Sequence, residues 1–72
     1  MAELDLRGLR CPLPALRTAR RLATMATGKR LTVLADDPLA AIDIAHLCRE
    51  DGHQLVESVE EGSFRRFVIV AG

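Results

Sequence analysis

From Glu3 to Arg7 apolar and polar residues alternate, with Leu4 and Leu6 on one side and Asp5 and Arg7 on the other. That period of two predicts a half-buried strand, and Gly8 closes it. From Pro12 the spacing changes. Pro12, Ala15, Leu16, Ala19, Leu22, Ala23 and Ala26 follow one another at helical steps, which predicts a helix with one apolar stripe. Arg17, Thr18, Arg20, Arg21 and Thr24 fall off the stripe, and Gly28 suits a C-terminal cap. Residues 30–36, RLTVLAD, read as a second strand, apolar enough to be buried on more than one side. A second helix then begins, with Asp37 as N-cap and Pro38 at the first helical position. Its stripe is Ala41, Ile44, Ala45 and Cys48, flanked by Ile42 and Leu47, and Gly52 ends it. Residues 53–61 and 64–71 are two further strands. The short connection at Gly62-Ser63 makes them an antiparallel hairpin.

The order βαβαββ favours parallel strand neighbours joined by right-handed crossovers. Two helices cannot cover both faces of a four-stranded sheet in so short a chain. The expected fold is therefore α+β: a two-layer sandwich with a four-stranded mixed sheet and both helices on one face. Residues 1–72 form a single domain on this reading. A chain of this length buries only about 60% of its unfolded surface.

Composition sharpens the picture. The chain has no Trp or Tyr and two Phe, so aliphatic side chains make the core. Platforms for stacking bases are missing, and no direct nucleic-acid partner is expected. Net charge is zero but unevenly spread. Residues 1–35 hold seven Lys/Arg and two Asp/Glu, a balance of +5, and residues 36–72 hold three and eight, a balance of −5. A chain so divided can show a basic face to an acidic partner. No apolar run approaches the roughly 18 residues of a membrane span, and no signal peptide is evident. The expected compartment is the cytoplasm, where the two cysteines are thiols.

One of those thiols is oddly placed. Cys11 stands directly before Pro12-Leu13-Pro14, at the start of the first helix. First-turn N–H groups have no partner inside a helix, so proline costs little there. The motif reads as a rigid helix start, with Cys11 as N-cap, Pro12 first and Pro14 third. A helix N-terminus favours thiolate over thiol, the Leu13 N–H is free to donate to the cap, and Arg10 and Arg7 add positive potential. Cysteine is a poor cap compared with Ser or Asp, which points to a reactive thiol of lowered pKa. Leu13 projects beside it on the side of Arg17 and Arg20, either as an exposed leucine or tucked under a loop or the start of the chain.

The remaining candidates are plainer. Cys48 lies on the apolar stripe of the second helix and reads as a buried structural thiol. It stands eleven residues beyond Asp37, roughly 16 Å along a helix, too far for a disulfide with Cys11. His46, Cys48 and His53 fit no compact zinc spacing, and neither metal nor cofactor is expected. Asp36 is placed to orient a partner or the cysteine loop. Arg17, Arg20 and Arg21 form either a solvated helix face or a docking surface beside Cys11. Two readings of the whole follow: a thiol chemistry centred on Cys11, or a non-catalytic interaction module docking through the basic helix and Leu13.

Three stretches in combination resemble the TusA/SirA-like sulfur-carrier family: LDLRGLRCPLP at 4–14, GKRLTVLADDP at 28–38 and DIAHLC at 43–48. The resemblance runs along nearly the whole chain. It implies a βαβαββ sandwich and a sulfurtransferase-type carrier, whose cysteine, matched here by Cys11, accepts sulfane sulfur as a persulfide. It implies a cysteine desulfurase or another sulfurtransferase as donor and an acceptor protein in a sulfur relay, the carrier itself being a monomer. Pro12, Leu13, Pro14, Arg10, Asp36 and Asp37 would support that site, with Leu13, Arg17, Arg20 and Arg21 meeting partners. Members serving tRNA thiolation usually carry Glu between the prolines, where this chain has Leu13. They also carry Arg before the Asp-Ile pair, where it has Ile42. Both changes remove charge near the transfer surface and predict a poor fit to tRNA thiolation.

Overall fold

The computed structural model describes residues 2–72, with elements in the order β1 (Ala2–Asp5), α1 (Leu13–Ala23), β2 (Arg30–Ala35), α2 (Ala40–Asp51), β3 (Gln54–Glu60) and β4 (Arg65–Val70). The four strands form one sheet in the order β1-β2-β4-β3. β1 runs parallel to β2, Leu4 opposite Val33. β4 is antiparallel to both β2 and β3. The sheet is mixed and the expected α+β class holds.

Strand alternation decides which face is covered. Leu31, Val33 and Ala35 of β2 and Phe67 and Ile69 of β4 are buried. Val33 lies opposite Phe67 and Leu31 opposite Ile69, so all share one face. The same face takes Leu6 from the end of β1, Leu22 from α1 and Ile44 and Cys48 from α2 to complete the core. On the other face Thr32 and Val68 are shielded by their neighbours, which is why β2 reads as apolar on both sides. Arg66 on that face bonds Glu57 at 2.7 Å and Glu61 at 2.8 Å. These pairs offset part of the acidity of the second half of the chain.

Both helices differ from expectation in where they begin and which side they bury. In α1 the buried positions are Pro14, Thr18 and Leu22; of the expected stripe only Leu22 is buried, while Ala15 and Ala19 are half-buried and Ala23 is exposed. Leu16 is 54% exposed. The row at i, i+4 and i+8 faces the sheet, and Thr18 enters the core despite its hydroxyl. In α2 the buried row is Ala40, Ile44 and Cys48, while Ile42 points to solvent. α2 begins at Ala40 with Leu39 as N-cap. The expected N-cap Asp37 instead accepts the Ala40 N–H through its backbone carbonyl, at 3.0 Å. Asp37 and Pro38 thus form a turn ahead of the helix. Gly52 does end α2, in the left-handed conformation at φ 77° that glycine adopts without strain.

Candidate functional site

Because β1 and β2 are parallel, the loop leaving β1 emerges at the end of the sheet where β2 turns into α2. That juxtaposition builds the site. The Leu6 N–H still pairs with the Leu34 carbonyl at 2.8 Å, and the loop then folds back over the end of β2. Asp36 holds it there, since its Oδ1 accepts the Gly8 N–H at 2.9 Å and the Arg10 guanidinium at 3.2 Å. The Gly8 N–H, helped by Arg10, keeps the Asp36 carboxyl below its usual range. These two bonds tie Asp36 to the cysteine loop. Arg10 is engaged in this bracing. Arg7 is engaged too, clamped on Asp5 at 2.8 Å with its guanidinium over the Phe64 ring.

Cys11 follows directly and is exposed. It is not the helix cap. The N-cap is Pro12, the Cys11–Pro12 peptide is cis, and helical geometry starts at Leu13, leaving Pro14 at the second position. The Leu13 N–H, expected to serve the thiol, donates to the Arg10 carbonyl at 2.8 Å. Cys11 thus lies at the position before the N-cap, two residues ahead of the first residue of α1.

A carboxylate governs the thiol instead. Cys11 Sγ donates to Asp43 Oδ2 at 3.0 Å. This bond, then partial loss of solvent, then the negative charges of Asp43 and Asp37, push the Cys11 pKa up. The expectation of a lowered pKa is therefore reversed. Arg7 and Arg10, whose charge would oppose the effect, are paired with Asp5 and Asp36, and the acidic groups are contributed by α2 and the turn before it. Asp43 was missed in the sequence as a site residue, although it opens the DIAHLC stretch. Its place on the first turn of α2, at the same sheet end as Cys11, was the available signal.

Around the pair the surface is apolar. Leu13, 41% exposed, begins α1, and Ile42, 69% exposed, stands next to Asp43 in the chain. Between the helices runs a shallow groove of about 350 Å³, walled by Ala15, Leu16 and Ala19 from α1 and by His46, Leu47 and Glu50 from α2. Cys11, Pro12 and Asp43 close one end of it. Arg17, Arg20 and Arg21 are exposed along α1. Cys48 is buried in the core, and loss of solvent raises its pKa. His53, far from the thiol in the fold, accepts the Gly72 N–H.

Residues 2–70 match the model of the family described as Sulfurtransferase TusA. The chain belongs to the TusA family. The Sulfur carrier protein TusA of Allochromatium vinosum is 43% identical over 67 residues, covering 93% of this chain and 88% of that one. A crystal structure of a SirA-like protein from Desulfitobacterium hafniense superposes with a TM-score of 0.86 at 28% identity, covering 100% of this chain and 99% of that chain. These TusA relatives support a sulfur-carrier role and sulfur transfer in general, with a donor and an acceptor in a relay. They do not favour the non-catalytic interaction module. No helix among the described residues is long and apolar enough to cross a membrane.

Proposed function

We propose that this TusA-family chain works as a single sulfur-carrier domain that holds sulfane sulfur as a persulfide on Cys11. The supporting observation is the exposed thiol, fixed by the Asp36 brace and presented next to the apolar residues Leu13 and Ile42. A carrier must offer its sulfur to two partners in turn, so the sulfur belongs on an open surface and not in a pocket. The donor is a cysteine desulfurase or another sulfurtransferase, and the acceptor is a protein thiol. The chain acts as a monomer and as one stage of a transfer, a sulfurtransferase-type persulfide carrier. Two thiols, one of them exposed, suit the reducing cytoplasm.

Leu13, Arg17, Arg20 and Arg21 form the docking surface on this reading, a leucine beside a basic helix face. The experiment is loading: with a cysteine desulfurase and cysteine, the protein gains the mass of one sulfur atom on Cys11. Cys11→Ser removes that gain and leaves the far-UV circular dichroism unchanged. Sulfur carried on Cys48, or loading of the Cys11→Ser protein, would refute the assignment.

A further inference from the structure

The carrier reading leaves a difficulty at Cys11. A thiol whose pKa is pushed up is a weak nucleophile at neutral pH, yet loading requires it to attack. The same contact that creates the difficulty supplies a way out. We infer that Asp43 is a catalytic residue of sulfur transfer, the group that takes the Cys11 proton on loading and gives a proton to Cys11 on unloading. The inference rests on the carrier reading and adds to it the identity of the proton acceptor.

The geometry is a direct S–H···O contact of 3.0 Å between the reacting sulfur and Oδ2. No other side chain bonds Sγ among the hydrogen bonds of the described residues. Asp43 comes from α2 and Cys11 from the loop ahead of α1, so the contact spans two elements that pack side by side. The groups facing the pair can be named from each element. From the turn before α2, Asp37 adds negative charge. From α2, His46 and Glu50 line the groove beyond it. From the cysteine loop, Arg10 is committed to Asp36. Asp43 is thus the base already in contact with the sulfur.

The step balances without another reactant. In loading, Cys11 Sγ gives its proton to Asp43 and attacks the terminal sulfur of the donor persulfide. A new S–S bond forms, the donor's S–S bond breaks, and the donor sulfur leaves as thiolate. That thiolate is protonated from Asp43, directly or through water, so Cys–SH and R–S–SH become Cys–S–SH and R–SH. Unloading runs in reverse. The acceptor thiolate attacks the terminal sulfur, the bond to Cys11 Sγ breaks, and Asp43, having taken the acceptor's proton, returns one to Sγ. No net oxidation or reduction occurs in either direction.

Docking supplies the driving change. In the free protein Asp43 is only partly buried and the proton is held on sulfur, where the thiol reacts poorly with stray electrophiles. A partner seated on Leu13 and Ile42 excludes water from Asp43. Desolvation raises the proton affinity of a carboxylate and so favours transfer from sulfur to oxygen. Reactivity is coupled to the presence of a partner.

The test uses two measurements that this role moves in opposite directions. In Asp43→Asn, alkylation of free Cys11 by iodoacetamide has its pH midpoint lowered, because the charge that held the proton is gone. Loading by a cysteine desulfurase with cysteine at pH 7 is nevertheless slowed about tenfold or more, because the proton acceptor is gone. Asp43→Glu, which keeps a carboxylate, recovers part of the loading rate. A merely structural role would not separate the two measurements or give that rescue. An Asp43→Asn protein that loads as fast as wild type, or whose alkylation midpoint is unchanged, overturns the inference. If wild type itself takes up no sulfur, the carrier reading fails, and the proton-relay inference built on it fails with it. An unchanged midpoint in Asp43→Asn alongside normal wild-type loading instead refutes Asp43 alone.

Discussion

Two cysteines in the chain meet opposite environments. Cys48 is 2% exposed among core side chains, and Cys11 stands in the open with a carboxylate for a neighbour. Exposure and ionisation therefore act against each other at Cys11. We expect iodoacetamide to label Cys11 before Cys48 in the folded protein, read by mass mapping, since access to Cys48 requires opening of the core. We also expect the pH midpoint for Cys11 to lie above the roughly 8.5 of a free cysteine. The sign follows from the proton being held more tightly in the folded protein. Below the free-cysteine value both states are protonated and nothing is lost. As pH rises through the higher folded value the Asp43 hydrogen bond disappears. A midpoint at or below 8.5 would contradict the Cys11–Asp43 contact. The position of this cysteine was legible in the sequence from its Pro-Leu-Pro context. The environment was not, because a contact across 32 positions of chain leaves no local pattern.

At the scale of elements, the sequence was informative where periodicity is strict. All six elements were legible, and Gly8, Gly52 and Gly62 mark breaks the structure keeps, each at positive φ. The helix faces were less legible. The buried row of α1, Pro14, Thr18 and Leu22, shares only Leu22 with the apolar stripe read from the sequence. Thr18 is 0% exposed, with a hydroxyl that has no hydrogen-bond partner. Burying such a group without a partner costs about 1–3 kcal/mol. Thr18→Val keeps the shape and removes the polar atom. We expect it to stabilise the protein by about 1 kcal/mol, seen as a higher urea midpoint at unchanged slope. Destabilisation would mean that the hydroxyl is satisfied in solution. Helix starts were the other weak point, since Asp37 had the chemistry of a cap while its main chain, not its side chain, received the Ala40 N–H.

For the whole molecule the open question is partner choice, which rests on a few surface residues around a common chemistry. Leu13 and Ile42 lie on different helices and both are exposed, Leu13 two positions after Cys11 and Ile42 next to Asp43 in the chain. An acceptor built to pair charges at these positions would be left with unpaired groups, at a cost of about 1–3 kcal/mol each where docking buries them. We expect this protein to complement poorly a strain lacking the carrier for tRNA thiolation, and Leu13→Glu with Ile42→Arg to improve it. Full complementation by the unaltered protein would show that neither position sets the pathway. Salt should weaken docking through Arg17, Arg20 and Arg21 more than contacts through Leu13, because exposed charges are screened.

The register of the sheet also fixes where the chain can be joined to something else. Ala2 lies beside Leu31, and the Ala71 N–H bonds the Lys29 carbonyl at 2.9 Å, so both described ends of the chain meet at the start of β2. Cys11 is at the other end of that strand, about 20 Å away for six residues at ordinary strand rise. The fold is in effect a handle with the sulfur at its far tip. A fluorophore, an affinity matrix or a neighbouring protein domain attached at either terminus would hang from the grip, and the tip would stay free to visit its partners.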